Sequence, residues 1–374
     1  MTTPQQSLGF TEKVILALRS LYSQYGYAQY RMNKFEEYDL YARNKDFLIS
    51  DNVITFTDVD GKLMALKPDV TLSIVKNSKD LPDTVQKLFY NENVYRVTKG
   101  SHSFREIMQV GLECLGRIDD YCITEVLQLA AESLCHICEN SVLDVSHLGL
   151  LSEFLDTLGI PPERKSTLLG CVGEKNVHEL AEICRGADVP EKDIQLLSRL
   201  VSLCGTPKAV LPQVEALLGG RVRSETLTRF TRVMSALEDT APPILQIDFS
   251  AVGDIRYYNG IVFKGFIAGL PSSVLSGGQY DNLMQKMHRK SGAVGFAVYT
   301  DMLERLDRTA NEYDVDAVLL YEEKADLAAL RRQVRLLTGR GLRVLSLQGK
   351  PENIRYRQLL ALRGDGVEVM ENNA

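Results

Sequence analysis

The stretch Phe104–Gly116, FREIMQVGLECLG, alternates polar and apolar residues over most of its length. In a β-strand, successive side chains point to opposite faces, so Arg105, Gln109 and Glu113 would share one side. The apolar residues of the other side are Met108, Val110, Leu112 and Cys114. The pattern predicts a strand with one face in the core. A polar face turned to solvent is the usual interpretation, and a pocket floor that binds a zwitterion is the functional alternative.

The sequence on the N-terminal side of this strand predicts a helix and then short strands. Apolar residues recur at helical spacing over 10–25, and Gly26 stands at the C-terminal stop position. Short β-rich runs follow over 28–116. Asp60-Gly61 lies between two of these runs and is a hairpin-turn signal.

The chain as a whole divides into three parts that differ in their pattern of predicted helices and strands. We predict a core from 1–150 and 240–312, interrupted by an almost continuous helical pattern over 151–239. The last part, 313–374, alternates β-α-β-α-β, with its second helix expected at 351–362. The prediction is therefore an α+β protein with an antiparallel sheet flanked by helices, a helical insertion and a small C-terminal α/β domain.

Composition limits the classes of function. The 374 residues are 45% hydrophobic and 25% charged, which is typical of a folded protein. The net charge of −6 argues against broad binding to nucleic acid, because such binding requires cations that neutralise phosphates. The opening MTTPQQSLGF has no signal-peptide pattern, and no apolar run approaches the ~18–20 residues that span a bilayer. We expect a cytoplasmic protein without membrane contact.

The cysteines favour a reduced protein without a metal. Their number, seven, is odd, and they are scattered through segments with helix or strand patterns. Cys135 and Cys138 form one CxxC, but they lie in an apolar helical stretch where an i,i+3 pair shares a packed face. A zinc site needs about four ligands, and the sequence has no second pair. We predict neither a metal nor a cofactor.

Five ordered elements of the chain resemble the catalytic core of class II histidyl-tRNA synthetases and their paralogues. They are FREIMQVGLECLG (motif 2 strand), LKPDVTLSIVKN (the Arg-Pro-Glu-Gly-Thr element), IRYYNGIVF (the Leu-Asp-Tyr-Tyr-Thr-Gly-Val-Phe signature), LSGGQYDNLM (the Gly-Gly-Arg-Tyr-Asp loop) and AVGFAVYTDML (the start of motif 3). The resemblance covers about residues 8–310. It implies a class II aminoacyl-tRNA synthetase-like antiparallel sheet, and the tail resembles a shortened anticodon-binding domain.

The departures from the family's motifs imply that ligation is lost. Met302 stands where motif 3 has the arginine for the ATP γ-phosphate, and Gly253 replaces the catalytic arginine of the signature. Fixed arginines stabilise the charge that concentrates on the α-phosphate, so each loss costs several kcal/mol of transition-state stabilisation. The motif 2 arginine is identified as Arg105. No residue is therefore assigned a catalytic role.

The resemblance implies that the histidine pocket is better preserved. Its candidate residues are Asp69, Thr71, Arg105, Gln109, Glu113, Tyr257 and Tyr258, with Gly277 and Gly278 in a loop near the pocket. Carboxylates suit an ammonium group, and Glu or Tyr can form a hydrogen bond with an imidazole. From the residues alone, adjacent tyrosines on a strand would face opposite ways and simply pack, and the glycine pair also fits a plain turn.

A synthetase core with an amino-acid pocket but without ATP-binding arginines is similar to the regulatory subunits of ATP phosphoribosyltransferase. The resemblance implies a non-catalytic protein that dimerises through its core and binds the short-form catalytic subunit in the first step of histidine biosynthesis. It would be required for activity and for feedback inhibition by histidine. The alternatives are a divergent histidyl-tRNA synthetase-like ligase that uses Arg105 and Arg256 on ATP, and an RNA-binding pseudo-synthetase. The net charge argues against tRNA as a partner.

Overall fold

The computed structural model describes residues 8–45, 48, 53–81, 83–97, 103–238, 240–253, 257–306 and 313–373. Contacts divide the chain into two compact units. One is Val14–Leu303, and the other combines Met1–Lys13 with Glu304–Ala374. No helix within the described ranges is both long enough and apolar enough to span a membrane. The predicted limits of the helical insertion and the tail stay predictions.

Three sheets account for the strands of the described residues. The strands are β1 (Ala28–Gln29), β2 (Phe35–Glu37), β3 (Thr55–Thr57), β4 (Leu63–Leu66), β5 (Val85–Val97), β6 (Phe104–Gly116), β7 (Ser141–His147), β8 (Cys204–Gly205), β9 (Leu245–Asp248), β10 (Ile261–Ile267), β11 (Leu275–Gln279), β12 (Gly292–Tyr299), β13 (Val315–Leu320), β14 (Val344–Leu347), β15 (Tyr356–Arg363) and β16 (Gly366–Asn372). Their orders are β1-β5-β6-β12-β11-β10-β7-β9-β8, β14-β13-β15-β16 and β2-β4-β3.

The described residues also form α-helices in both units. They are α1 (Phe10–Gln24), α2 (Tyr38–Arg43), α3 (Thr71–Asn77), α4 (Asp120–Ile137), α5 (Leu148–Thr157), α6 (Pro162–Gly173), α7 (Val177–Arg185), α8 (Glu191–Ser202), α9 (Pro207–Leu218), α10 (Ser224–Glu238), α11 (Asp281–Lys286) and α12 (Leu327–Gly339). The largely helical structure predicted over 151–239 is confirmed. Among the described residues of this range, the two-residue β8 is the one strand.

The long hairpin β5–β6 lies within the nine-stranded sheet and confirms the strand predicted over Phe104–Gly116. Its register runs from Val85 opposite Gly116 to Val97 opposite Phe104, and β12 pairs with the other edge of β6. The alternation divides β6 as predicted, since Leu112 is fully buried on the apolar face between Phe89 and Phe296.

Helices α1 and α4 cover this apolar face. The Tyr22 ring of α1 lies 6.3 Å from that of Phe89 and 5.9 Å from that of Phe296. Its hydroxyl lies 2.9 Å from the hydroxyl of Ser133 on α4, which satisfies both buried groups. Burial of Leu18 and Leu134 on the same two helices completes the contact. This face of the sheet therefore belongs to the core, and the opposite face combines a second buried apolar cluster with the polar residues Gln109 and Glu113.

The helix stop predicted at Gly26 and the hairpin turn predicted at Asp60-Gly61 are both confirmed. Helix α1 ends at Gln24, and Gly26 follows with φ +80°, a left-handed conformation that glycine adopts without strain. Gly61 has φ +81° and joins β3 to β4, which pair antiparallel, so Asp60-Gly61 is the predicted hairpin turn.

The C-terminal unit differs from its prediction in one element. Its strand β13 pairs parallel with β14 and β15, and β16 returns antiparallel. The helix predicted at 351–362 is wrong, because Tyr356–Arg363 is strand β15. Leu360 packs on one face of this strand and Leu359 on the other. A strand buried on both faces has a continuous apolar run, which periodicity cannot separate from a buried helix.

Candidate functional site

A cavity of about 310 Å³ lies on the polar face of the nine-stranded sheet, within the Val14–Leu303 unit. Six predicted pocket residues line it: Asp69, Thr71, Gln109, Glu113, Tyr257 and Tyr258. Ligand sites commonly occupy roughly 300–1,000 Å³, so the cavity suits a small molecule such as an amino acid. Gln109 and Glu113 are only 3% and 2% exposed, so the solvent-facing interpretation of the strand is wrong for these two residues.

Glu113 is the most constrained group in the cavity. Its two carboxylate oxygens accept hydrogen bonds from Thr71 Oγ1 at 2.6 Å and from Tyr280 Oη at 2.5 Å. Gly295 is paired opposite Glu113, and a Cβ at Gly295 would lie 1.9 Å from Glu113 Oε2. Burial, with a smaller effect from the charge of nearby Asp69, raises the pKa of Glu113 to about 8, although the two hydroxyl hydrogen bonds act in the opposite direction.

Asp69 and Thr71 are positioned by the beginning of α3. The Asp69 carboxylate accepts a hydrogen bond at 2.8 Å from the backbone N–H of Leu72, one of the N–H groups left unpaired at a helix N-terminus. Burial raises the pKa of Asp69, while this hydrogen bond and the charge of Arg96 act in the opposite direction. Two buried carboxyl groups with raised pKa values therefore share one cavity, and a bound cation would favour their ionised forms.

Tyr257 and Tyr258 both line the cavity, although adjacent strand residues would face opposite ways. They precede β10 in a non-strand segment, so strand alternation does not apply to them. Their rings lie 4.6 Å apart, and the Tyr257 ring lies 5.6 Å from that of Tyr280. The three rings thus form one cluster, and Tyr280 joins it to the carboxyl group of Glu113 through its hydroxyl.

The predicted glycine pair lies in strand β11 rather than in a loop or turn. Gly277 lines the cavity, and Gly278 does not belong to its lining. A Cβ at Gly278 would lie 2.7 Å from the Tyr258 ring, so this glycine makes room for the tyrosine.

Arg96 is one of two cations in the cavity lining, with Lys264, and the sequence analysis identified neither. Arg105, the predicted residue, lies outside the cavity lining, and its guanidinium pairs with Asp301 at 3.1 Å. The two arginines are directly opposite each other on β5 and β6. Arg96 donates a hydrogen bond from Nε to the Pro68 carbonyl at 3.2 Å, which turns it toward the segment before α3. Only the hairpin register could have indicated this residue.

A family model described as histidyl-tRNA synthetase matches residues 4–303. The chain belongs to the histidyl-tRNA synthetase family. The resemblance inferred from five motifs is therefore confirmed.

Individual relatives and solved structures indicate which members of the family this chain is similar to. The ATP phosphoribosyltransferase regulatory subunit of Oceanobacillus iheyensis is 25% identical over 294 residues, which cover 78% of this chain and 72% of the relative. A Bacillus halodurans structure described as an ATP phosphoribosyltransferase regulatory subunit/histidyl-tRNA synthetase has a TM-score of 0.74 at 23% identity, covering 94% of this chain and 93% of that one. A chain of the ATP phosphoribosyl transferase complex from Thermotoga maritima has a TM-score of 0.62 at 19% identity, covering 78% and 98%. These structures confirm the predicted class II synthetase-like α+β fold.

The structure gives the surroundings of the two positions at which the resemblance implies lost arginines. Gly253 lines the cavity, and a Cβ there would lie 2.6 Å from the Tyr258 ring, so the tyrosine fills the space where a side chain would begin. Met302 lies with its sulfur 3.6 Å from the Ser272 hydroxyl and carries no charge for a phosphate. Arg256, the proposed substitute, lies outside the described residues.

Proposed function

We propose that this chain is a non-catalytic regulatory subunit of ATP phosphoribosyltransferase, which acts in the first step of histidine biosynthesis. One contrast between two sets of residues carries the proposal. Buried carboxyl groups suited to an amino acid are present at Asp69 and Glu113, whereas Gly253 and Met302 stand at the positions of the ATP-binding arginines. The similarity to relatives named as regulatory subunits supports this function.

The ligand of the cavity is histidine, with no cofactor. Asp69 and Thr71 receive its α-ammonium group, because a carboxylate and a hydroxyl oxygen both accept hydrogen bonds. Glu113 and the tyrosines at 257 and 258 contact the imidazole, whose two nitrogens need partners of opposite polarity when the ring is neutral. A bound ammonium group lowers the cost of ionising the two buried carboxyl groups.

The partner is the short-form catalytic subunit of ATP phosphoribosyltransferase, and two copies of this chain dimerise through their cores in the cytoplasm. The likeness in fold to a chain of the Thermotoga maritima complex supports this assembly. Histidine inhibits the assembly by binding its inactive state more tightly than its active state, since a ligand shifts an equilibrium only through differential affinity.

The test combines calorimetry with reconstitution. The purified chain is titrated with histidine and with ATP, each alone, and is then mixed with a short-form catalytic subunit whose phosphoribosyl transfer is measured. We expect histidine to bind, ATP not to bind, and transfer to appear only in the mixture. Absence of activation by the chain would overturn the regulatory function, whatever the titrations show.

One observation favours the alternative, a divergent synthetase-like ligase. Arg96 places a guanidinium in the cavity wall, where it could contact an α-phosphate. ATP–pyrophosphate exchange in the presence of histidine separates the two functions, because only a ligase forms an adenylate. We expect no exchange above the level of a chain heated to unfold it.

A further inference from the structure

Lys264 is the second cation of the cavity lining, after Arg96, and the proposed function gives it no role. It lies in β10, is half-buried, and lines the cavity. Among the described residues it has neither a hydrogen bond nor an ion pair. Burial lowers its pKa, which reports the cost of holding an unpaired ammonium group away from water.

The carboxylate directly opposite Lys264 in the sheet does not pair with it. Asp144 of β7 is directly opposite Lys264 in the register of β7 and β10. Cross-strand partners of opposite charge commonly pair, yet no ion pair joins these two in the part of the chain that the structure describes. Asp144 Oδ1 is itself buried without a hydrogen-bond partner. The ammonium group therefore belongs to the cavity rather than to a cross-strand pair.

The sheet provides a shallow trough from Lys264 toward the carboxyl end of the cavity. One row of directly paired residues crosses five strands from Lys264 through Ser276, Ala297 and Gly111 to Tyr90. Three small residues separate Lys264 from Tyr90 in this row. The Tyr299 hydroxyl lies 2.8 Å from that of Ser276, and the Tyr90 hydroxyl would lie 2.5 Å from a Cβ at Gly111, so these two tyrosines border the trough. Lys264 and Gly111 are three interstrand spacings apart, about 14 Å. Glu113 lies two residues beyond Gly111 on the same face of β6.

We propose that Lys264 binds the anionic group of the cavity's ligand, a carboxylate or a phosphoryl group, across this trough from Glu113. The inference rests on the proposed function, since it completes the same site: Asp69 receives the ammonium group of a zwitterion, and Lys264 receives its anionic group. A free amino acid supplies the anion as its α-carboxylate, and a nucleotide or pyrophosphate supplies it as a phosphoryl group. A lysine is a flexible point charge, which suits either oxyanion.

The experiment is calorimetric titration of the full chain and of Lys264→Met with histidine, histamine and pyrophosphate. Histamine retains the imidazole and the ammonium group but lacks the carboxylate. Lys208→Met, an exposed lysine of α9 outside the cavity lining, removes the same charge and is the matched control. Loss of a hydrogen bond to a charged group corresponds to a loss of roughly 10- to 100-fold in affinity.

Each outcome decides the inference. A drop of that size for histidine in Lys264→Met alone, with histamine unchanged, supports it with a carboxylate as the anion. The same drop for pyrophosphate supports it with a phosphoryl group. Equal affinities in Lys264→Met and Lys208→Met for every anionic probe, or no binding of any anionic probe to the unsubstituted chain, overturn it.

Two further measurements keep these outcomes interpretable. The unsubstituted chain should bind histidine more tightly than histamine, a comparison that requires no variant to fold. Activation of the short-form catalytic subunit by the unsubstituted chain is measured separately. If activation is present and Lys264→Met binds anions normally, only the role of Lys264 fails. If activation is absent, the regulatory function fails while the titrations still decide the role of Lys264.

Discussion

The two faces of strand β6 serve different purposes within the same thirteen residues. On one face, Leu112 is fully buried against the aromatic rings that α1 covers, and its burial stabilises the fold. On the other face, Glu113 is equally buried but carries a carboxyl group whose raised pKa shows that its ionised form is destabilised there. The contrast shows that alternation along one strand separates residues that stabilise the protein from residues that cost stability and form a site.

Replacing Leu112 with Ala should have the largest effect on stability. The side chain has no exposed surface, so the substitution removes buried apolar area and leaves a cavity between Phe89 and Phe296. We expect the free energy of unfolding to fall by about 2–5 kcal/mol. Urea unfolding followed by circular dichroism measures this change. A loss below that of an exposed substitution such as Leu16→Ala would contradict the assignment of this face to the core.

A methyl group at Gly295 should damage the polar face. Its Cβ would lie 1.9 Å from the Glu113 carboxylate and 2.4 Å from the Leu112 carbonyl, so both must shift. We expect Gly295→Ala to lower the free energy of unfolding by about 1–3 kcal/mol and to weaken histidine binding by about tenfold or more.

Gly170→Ala is the control for this substitution. Gly170 lies in α6 with nothing near the position of a Cβ, so Ala should stabilise the helix by about 0.5–1 kcal/mol and leave binding unchanged. Similar affinities for histidine in the two variants would show that Glu113 does not need its present position.

Glu113→Gln should change how stability depends on pH. The folded state raises the pKa of Glu113 from 4.5 to about 8, so between these values the folded chain holds a proton that the unfolded chain has released. The stabilisation from this group is complete below pH 4.5 and is lost as the pH rises to about 8. Gln does not titrate, so the difference in unfolding free energy between the two proteins should vary within this window and be constant outside it.

The contributions of Asp144 and His147 cancel in this comparison, because both proteins contain them. Burial raises the pKa of Asp144 to about 6 and lowers that of His147 to about 4. Urea unfolding at pH 5, 6.5, 8 and 9 measures the difference. A difference that does not change from pH 5 to pH 8 would mean that Glu113 titrates alike in both states.

Arg105→Met should have the smallest effect. Its guanidinium is about half exposed and forms one ion pair with Asp301, and such surface pairs contribute about 0–1 kcal/mol. We expect little change in stability or in histidine affinity, whereas Arg96→Met should alter ligand binding because Arg96 lines the cavity. A large loss of histidine affinity in Arg105→Met would restore Arg105 to the site as the sequence analysis predicted.

Much of the architecture could be predicted because local patterns and local structure agree. The helix α1, the turn at Gly61 and the helices over 151–239 each have a periodicity or a turn residue that acts over a few positions. Strand β15 could not be predicted, because burial on both faces removes the alternation that identifies a strand. Its identity depends on pairing with β13 and β16, which is not a local property.

The residues of the site also divide into those that the sequence predicts and those that only the tertiary structure identifies. The sequence by itself determined that Glu113 and Gln109 share a face of β6, because alternation depends only on the spacing of residues along one strand. The order of the motifs in the chain grouped Asp69, Thr71 and the tyrosine pair with them. Only the tertiary structure decided that Arg96 rather than Arg105 lines the cavity, and that Lys264 lies across the trough from Glu113. These contacts depend on which strands become neighbours and in which register, since hydrogen bonds between distant segments determine the positions of their side chains.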